Sequence, residues 1–404
     1  MINYVLPLMF FSVTTFTANV TGLFRSAVLA SLPLLILLIR PINFKKYKLI
    51  LILFSTILLM YTISWLVNDQ SYANFLFGAY NRNLGFLSLL GLFLLTILSA
   101  EYYHKEKFKL VNSMYTLLIL SIIYGVMQYS GLDPITWDQG AGKGSMLGNI
   151  NFSSALFGML SAVPLVRAIT TDSFLRIIHA IIYFVSIYFI ILSGSSQGFI
   201  ISLAILLFVL IVKRQNLKNF PKSWRNTFII LTIASVLVIL QQILTNSKLL
   251  LDLIGRAGQI PARIEHWKLG IRIFMDYPFT GVGIENMARY AGEYRSQEIR
   301  NWGNYILPDK SHNVVIDFFA TGGVFVGVSW LIFTTLTLLS IVNLLFLSKK
   351  QVHKDEILIF SCVWLGYFMQ SLISTDSLLL ITCGMMAAGA LLGIRRQESL
   401  KTKQ

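Results

Sequence analysis

Pro308-Asp-Lys-Ser-His-Asn313 closes the long polar stretch of this chain, and the residues that follow, 314–347, are almost uninterruptedly apolar. A membrane-spanning helix needs about 20 apolar residues. This run is longer than that, so the junction at 308–313 marks where a polar lobe meets a bilayer. Runs of the same kind recur near 4–20, 22–39, 48–67, 84–100, 109–129, 150–169, 174–193, 198–212, 226–244, 355–374 and 377–394. Together they predict an all-α polytopic membrane protein with about 12 transmembrane helices. The whole chain, 1–404, reads as a single membrane domain, with 245–312 as a helical extracytoplasmic lobe within it.

Composition agrees with this reading. The 404 residues are 55% apolar types and only 13% charged, whereas a soluble domain carries roughly 25% charged residues. Cys362 and Cys383 both fall inside apolar runs and read as small core residues, not as a disulfide framework. The first residues show no charged leader and no small-residue cleavage site, so the first run is expected to be retained.

The net charge of +15 raises the question of nucleic acid, and its distribution answers it. With the N-terminus assigned to the cytoplasm, 21 Lys and Arg residues fall in cytoplasmic connectors and tails. The short outer loops hold three, Arg25, Arg82 and Lys143. The remaining nine lie in the 245–312 loop, and long loops are discounted in this rule. The lobe, Arg82, the 130–149 segment and the Ser195–Gln197 turn therefore face outward, where no nucleic acid is available. No internal repeat or low-complexity tract interrupts the pattern.

Chemistry is expected where polar groups collect at the outer face. Pro261 suits a helix's first turn, and Arg263-Ile-Glu-His-Trp-Lys-Leu-Gly-Ile-Arg272 has helical periodicity that puts Arg263, Trp267 and Gly270 on one face. That helix should stop before Tyr277-Pro278, with Gly281-Val-Gly283 as a turn and a second helix over about 284–297. The turn either binds an anion through its N–H groups or is simply structural. His312 reads as a solvated interfacial residue or as a base for a sugar hydroxyl near neutral pH. It is one of five histidines, and His266 is the other one placed outside. Arg82 in Gly78-Ala-Tyr-Asn-Arg-Asn-Leu-Gly85 calls for an anionic partner, since charges at a bilayer face generally have one. Asn149 and Ser195, at helix starts, have the default reading of caps. Trp267 could stack on sugar rings or anchor at the interface.

Four elements occur in order: Tyr124-Gly-x-x-Gln128-x-x-Gly-Leu-Asp-Pro134; Gly148-Asn149-x-Asn151-Phe152; Arg263-x-x-x-Trp267 with Pro278-x-x-Gly281-x-Gly283; and His312-Asn313 followed by Gly322-Gly323. From about Gly78 to Trp330 the set resembles the bacterial O-antigen ligase and O-antigen polymerase family. The resemblance implies a glycosyltransferase of the bacterial cytoplasmic (inner) membrane that moves an oligosaccharide from undecaprenyl diphosphate to an acceptor glycan hydroxyl, on lipid A core or a repeat unit, without metal or other cofactor and with anomeric inversion. On the matching positions, His312 would activate the acceptor and Arg263 would hold the diphosphate. Arg82, Gln197, Trp267, Arg272, Asn149, Asn151 and Asn313 would line the substrate site. The family's Ser-x-Ser-Arg element ends in Gln197 here, so one phosphate contact is missing, and Arg82 or Arg272 is the candidate replacement. A twelve-span transporter or lipid flippase is the competing class. Such proteins show paired halves and charged or broken helices at the midplane, and no such pairing is visible here.

Overall fold

The computed structural model describes residues 2–11, 21–80, 82–103, 107–135, 147–171, 173–214, 233, 259–294, 296, 297, 300, 308–348 and 354–401. Among them there is no strand. The chain is an all-α, multi-pass membrane protein. The helices in order are α1 (Val5–Phe11), α2 (Thr21–Ile39), α3 (Lys48–Val67), short α4 (Tyr72–Phe77), α5 (Phe86–Tyr102), α6 (Lys107–Tyr129), α7 (Ile150–Leu160) and α8 (Ala162–Thr170). They continue with α9 (Leu175–Ser193), α10 (Ser196–Val212), α11 (Gln259–Asp276), α12 (Met287–Tyr294), α13 (Val314–Val342), α14 (Lys354–Ser371) and α15 (Leu378–Lys401).

Among the described residues, six stretches are long and apolar enough to cross a membrane: Phe44–Val67, Lys109–Tyr129, Ile150–Thr170, Leu175–Ser193, Val314–Leu347 and Leu378–Leu400. Shorter apolar helices lie at Ile2–Phe11, Leu23–Ile39, Phe86–Tyr102 and Ser196–Val212. The expected span at 226–244 (residue 233 apart), part of that at 4–20, and the Lys143 loop lie outside the described residues. The run expected at 150–169 breaks at Ser161 into α7 and α8. Pro164 explains the break: it lacks an N–H and its ring crowds the carbonyl four residues earlier, at Leu160.

Apolar side chains on α3 such as Leu49, Ile52, Leu59 and Leu66 stay exposed, the behaviour of a lipid-facing surface. Inside the bundle, α15 packs closely on α5 because Gly389 and Gly393 let the two backbones meet; a Cβ at either would lie 2.2–2.3 Å from the carbonyl of Thr96 or Ala100. Small residues take this role in membrane helix pairs, where packing rather than water exclusion drives association. Both cysteines are buried and free, as core residues should be.

The lobe is fastened to α13 by backbone pairing. At Gly323, φ is +73° and the helix kinks. The kink frees groups that Pro278–Gly283 then satisfies. Val282 N–H donates to the Ala320 carbonyl (3.1 Å), Gly283 N–H to Thr321 (2.9 Å), and Val324 N–H to Pro278 (2.8 Å). The N–H groups of Val282 and Gly283 are thus spent on α13, and the structural reading of the double-glycine turn holds over the anion-binding one. From the other side, Asn68 donates to the Gly281 carbonyl (3.0 Å) and Gln70 to that of Ile284 (2.5 Å). A small core of Leu269, Ile273, Val282, Met287 and Ala291 closes the lobe against Ala320. The second lobe helix, expected over about 284–297, is shorter, Met287–Tyr294, because residues 281–286 are held in this turn.

Candidate active site

His312 sits in the loop 308–313, fixed by the start of α13. Asp317, in the first turn, accepts from Ser311 N–H (2.8 Å) and from its hydroxyl (2.6 Å). Asn313 caps the helix by accepting from Val315 N–H (3.0 Å) and Ile316 N–H (3.2 Å). Caught between these anchors, His312 adopts φ +56°. Few non-glycine residues enter that region, and such conformations persist only where the surroundings over-determine them.

The ring of His312 meets two side chains of α11. Arg263 Nη1 lies 3.2 Å from His312 Nδ1, and the ring of His266 stacks on that of His312 with centroids 4.8 Å apart and planes 26° from parallel. Arg263 and His266 are one turn apart, so both face the same loop. A guanidinium has no acceptor, so Nδ1 must be the acceptor in this contact. The lone pair of His312 is therefore on Nδ1 and its proton on Nε2. Burial, with help from His266 and Arg263 and against Asp309, lowers the His312 pKa to about 3. Burial and Arg263, against Asp309 and Glu265, lower that of His266 to about 4. Both rings are neutral at physiological pH.

Arg82 finds its anionic partners within the chain. Its Nε lies 2.9 Å from Glu285 Oε2 and its Nη1 pairs with Asp309. Lys310 Nζ meets the other oxygen of Glu285 at 2.6 Å. Burial alone would push the Glu285 carboxyl up, but Lys310 and Arg82 overcome it and hold the pKa at about 2. Arg82 stays charged for the same reason, Glu285 and Asp309 outweighing burial. A small, mostly apolar cavity of about 40 Å³ lies between the loop and the bundle, with Glu285, Lys310, Asp317 and Asp376 among its lining residues.

The other residues expected at the site fall in three places. Trp267 adjoins His266, half-buried, its indole N–H without a hydrogen bond among the described residues. Asn313 donates to the Leu372 carbonyl (3.1 Å), tying α13 to the end of α14. Arg272 lies two and a half turns beyond Arg263, hence on the opposite face of α11; it is exposed and donates to the Tyr294 carbonyl (3.2 Å). Asn149, Asn151 and Gln197 form a second cluster at the starts of α7 and α10. Asn149 caps α7, accepting from Asn151 N–H (2.9 Å). Asn151 Oδ1 accepts from the Ser195 hydroxyl (2.8 Å), which accepts from Gln197 N–H (3.4 Å). The cap reading of Asn149 and Ser195 holds.

Sequence reasoning missed His266, although its spacing from Arg263 placed it on the same helix face. It also missed Glu285, Asp309, Lys310 and Asp376, whose partners are distant in sequence.

The architecture defines a class: a multi-pass helical membrane protein in which a buried imidazole pair and a guanidinium meet where a lobe joins the bundle. Residues 181–331 match the family model described as O-antigen ligase, so this part of the chain is similar to that family. The match spans α9 to the first half of α13 and includes Gln197, Arg263, His266 and His312. No curated protein matches the chain.

Proposed function

We propose that this protein transfers an oligosaccharide from undecaprenyl diphosphate to a glycan hydroxyl on the outer face of the bacterial cytoplasmic membrane, as an O-antigen ligase or a surface-polysaccharide polymerase. The chain works as one membrane domain, with 245–312 as its extracytoplasmic lobe. The observation that carries this reading is the Arg263–His312 contact, which puts a permanent cation and a neutral base within 3.2 Å of each other.

Such a reaction breaks the bond between the anomeric carbon and the diphosphate while the acceptor oxygen bonds to that carbon from the opposite side. Negative charge grows on the leaving diphosphate, and a guanidinium fork stabilises it bidentately. The acceptor hydroxyl loses a proton, which a neutral imidazole can take. The geometry links the two events. With no donor present, Arg263 covers the one lone pair of His312 and its charge helps keep that ring a weak base. A diphosphate draws Arg263 onto itself, uncovers Nδ1 and brings negative charge near, which raises the basicity of His312. The proton then moves from the acceptor oxygen to Nδ1, and the lipid diphosphate departs with its charge neutralised by Arg263.

Gln197 stands where the family has an arginine, and Arg82 is already committed to Glu285 and Asp309. Arg263 is accordingly assigned the main share of the diphosphate. Deleting the gene and inspecting surface glycans tests this reading. Loss of long chains with a single unit remaining indicates a polymerase, and a bare core with accumulating lipid-linked glycan indicates a ligase. Unchanged surface glycan and unchanged lipid-linked intermediates would reject both.

A further inference from the structure

Buried histidines normally have hydrogen-bond partners, since a bare polar nitrogen in the interior costs stability that an apolar ring would not. His266 is 9% exposed, and neither of its ring nitrogens has a partner among the described residues. The indole nitrogen of Trp267 beside it is also bare. Unsatisfied nitrogens on the ring that stacks against His312 point to a ligand. The same ring covers one face of His312 while Arg263 holds its edge, so the imidazole plane is fixed from two directions.

We propose that His266 is a second working residue of the site: its ring positions His312 by stacking, and its two nitrogens, unpartnered among the described residues, hydrogen-bond to separate hydroxyls of the bound acceptor glycan. A glycan presents several hydroxyls, each able to donate or accept, so one can donate to the lone pair of a neutral imidazole while another accepts from its N–H. A phosphate oxygen only accepts and would leave one nitrogen bare. Both rings work as neutral groups, because two imidazolium ions at this separation would repel. The charged groups that face the pair are Arg263 and Glu265 on α11, Asp309 on the loop before α13, and Arg82 ahead of α5.

This inference rests on the glycosyl-transfer reading, and the test separates the two. Full-length protein in lipid nanodiscs is assayed with lipid-linked glycan and acceptor glycan extracted from a deletion strain, using variants that elute as monodisperse protein like the wild type. His266→Phe keeps a flat ring without nitrogens; kcat should stay within about twofold while the acceptor KM rises about tenfold, the size of one neutral hydrogen bond. His266→Gln keeps hydrogen bonding without the stack, and the opposite split is expected: KM near wild type and kcat lower by about tenfold. Equal losses in both variants, or none in either, would overturn the inference. His312→Ala is run alongside. If it still transfers, the base assignment fails on its own account, whereas the KM effect of His266→Phe stands or falls independently.

Discussion

The molecule carries two contrasting polar clusters, one around His312 and one around Asn149, Asn151, Ser195 and Gln197. In the second, Asn149 caps α7 and Asn151 accepts from the Ser195 hydroxyl, which accepts from Gln197 N–H at the start of α10. In the first, His312 holds a left-handed backbone conformation, both nitrogens of its neighbour His266 lack partners among the described residues, and an arginine is parked on a base. The difference separates polar groups used to build helix ends from polar groups kept in reserve. Strain and unsatisfied hydrogen bonding are tolerated where a ligand will relieve them.

The largest test of this contrast is His312→Ala. Transfer by the purified protein should fall about 10²–10⁴-fold, the usual range for a lost proton acceptor, with donor binding retained. Next is Arg263→Ala, where loss of one preorganised charge contact is worth about 2.7–4 kcal/mol of barrier; both transfer and donor affinity should drop, and a variant with unchanged donor use would remove Arg263 from the diphosphate site.

The pH dependence of stability comes third. His312 and His266 have folded pKa values of about 3 and about 4, below the ordinary 6.5. The unfolded chain therefore binds protons that the folded one refuses, and their contribution to stability falls as pH drops from about 6.5 through those values. Thermal unfolding in detergent at pH 7 and pH 5 should show a smaller acid-induced loss for His266→Phe than for the wild type. An equal loss in both would mean that His266 is not held neutral. The smallest effects belong to the second cluster. Asn149→Ala removes one cap and should cost about 1 kcal/mol of stability while leaving transfer within about twofold. Gln197→Arg should raise donor affinity modestly if the missing family arginine matters, and a neutral result would show that Arg263 suffices.

Much of this was readable in the sequence, for physical reasons. Hydropathy alone placed α3, α6, α9 and α13 nearly to the residue, because each must satisfy its backbone internally within an apolar span. The helix over 259–276 and its stop before Tyr277-Pro278 followed from periodicity and proline. The break at Ser161 was missed because an apolar run gives no sign of how a membrane helix accommodates Pro164. Pairing of His312 with Arg263 was anticipated through family resemblance, across 49 residues of separation. No spacing rule could have predicted it. The stack with His266 was hidden by the choice of Trp267 as the ring projecting with Arg263, when the residue one position earlier faces the loop. Glu285 meets Arg82 and Lys310 only after the lobe docks on the α13 kink, which no local pattern encodes.

The most direct test follows the His312 Nδ1 resonance by ¹⁵N NMR in nanodiscs, with and without added undecaprenyl diphosphate. If the diphosphate lifts Arg263 from His312, that resonance moves on addition of the lipid in the wild type and stays still in Arg263→Ala. An unmoved wild-type signal at saturating lipid, with binding demonstrated separately, would contradict the shared use of imidazole and guanidinium on one lipid headgroup.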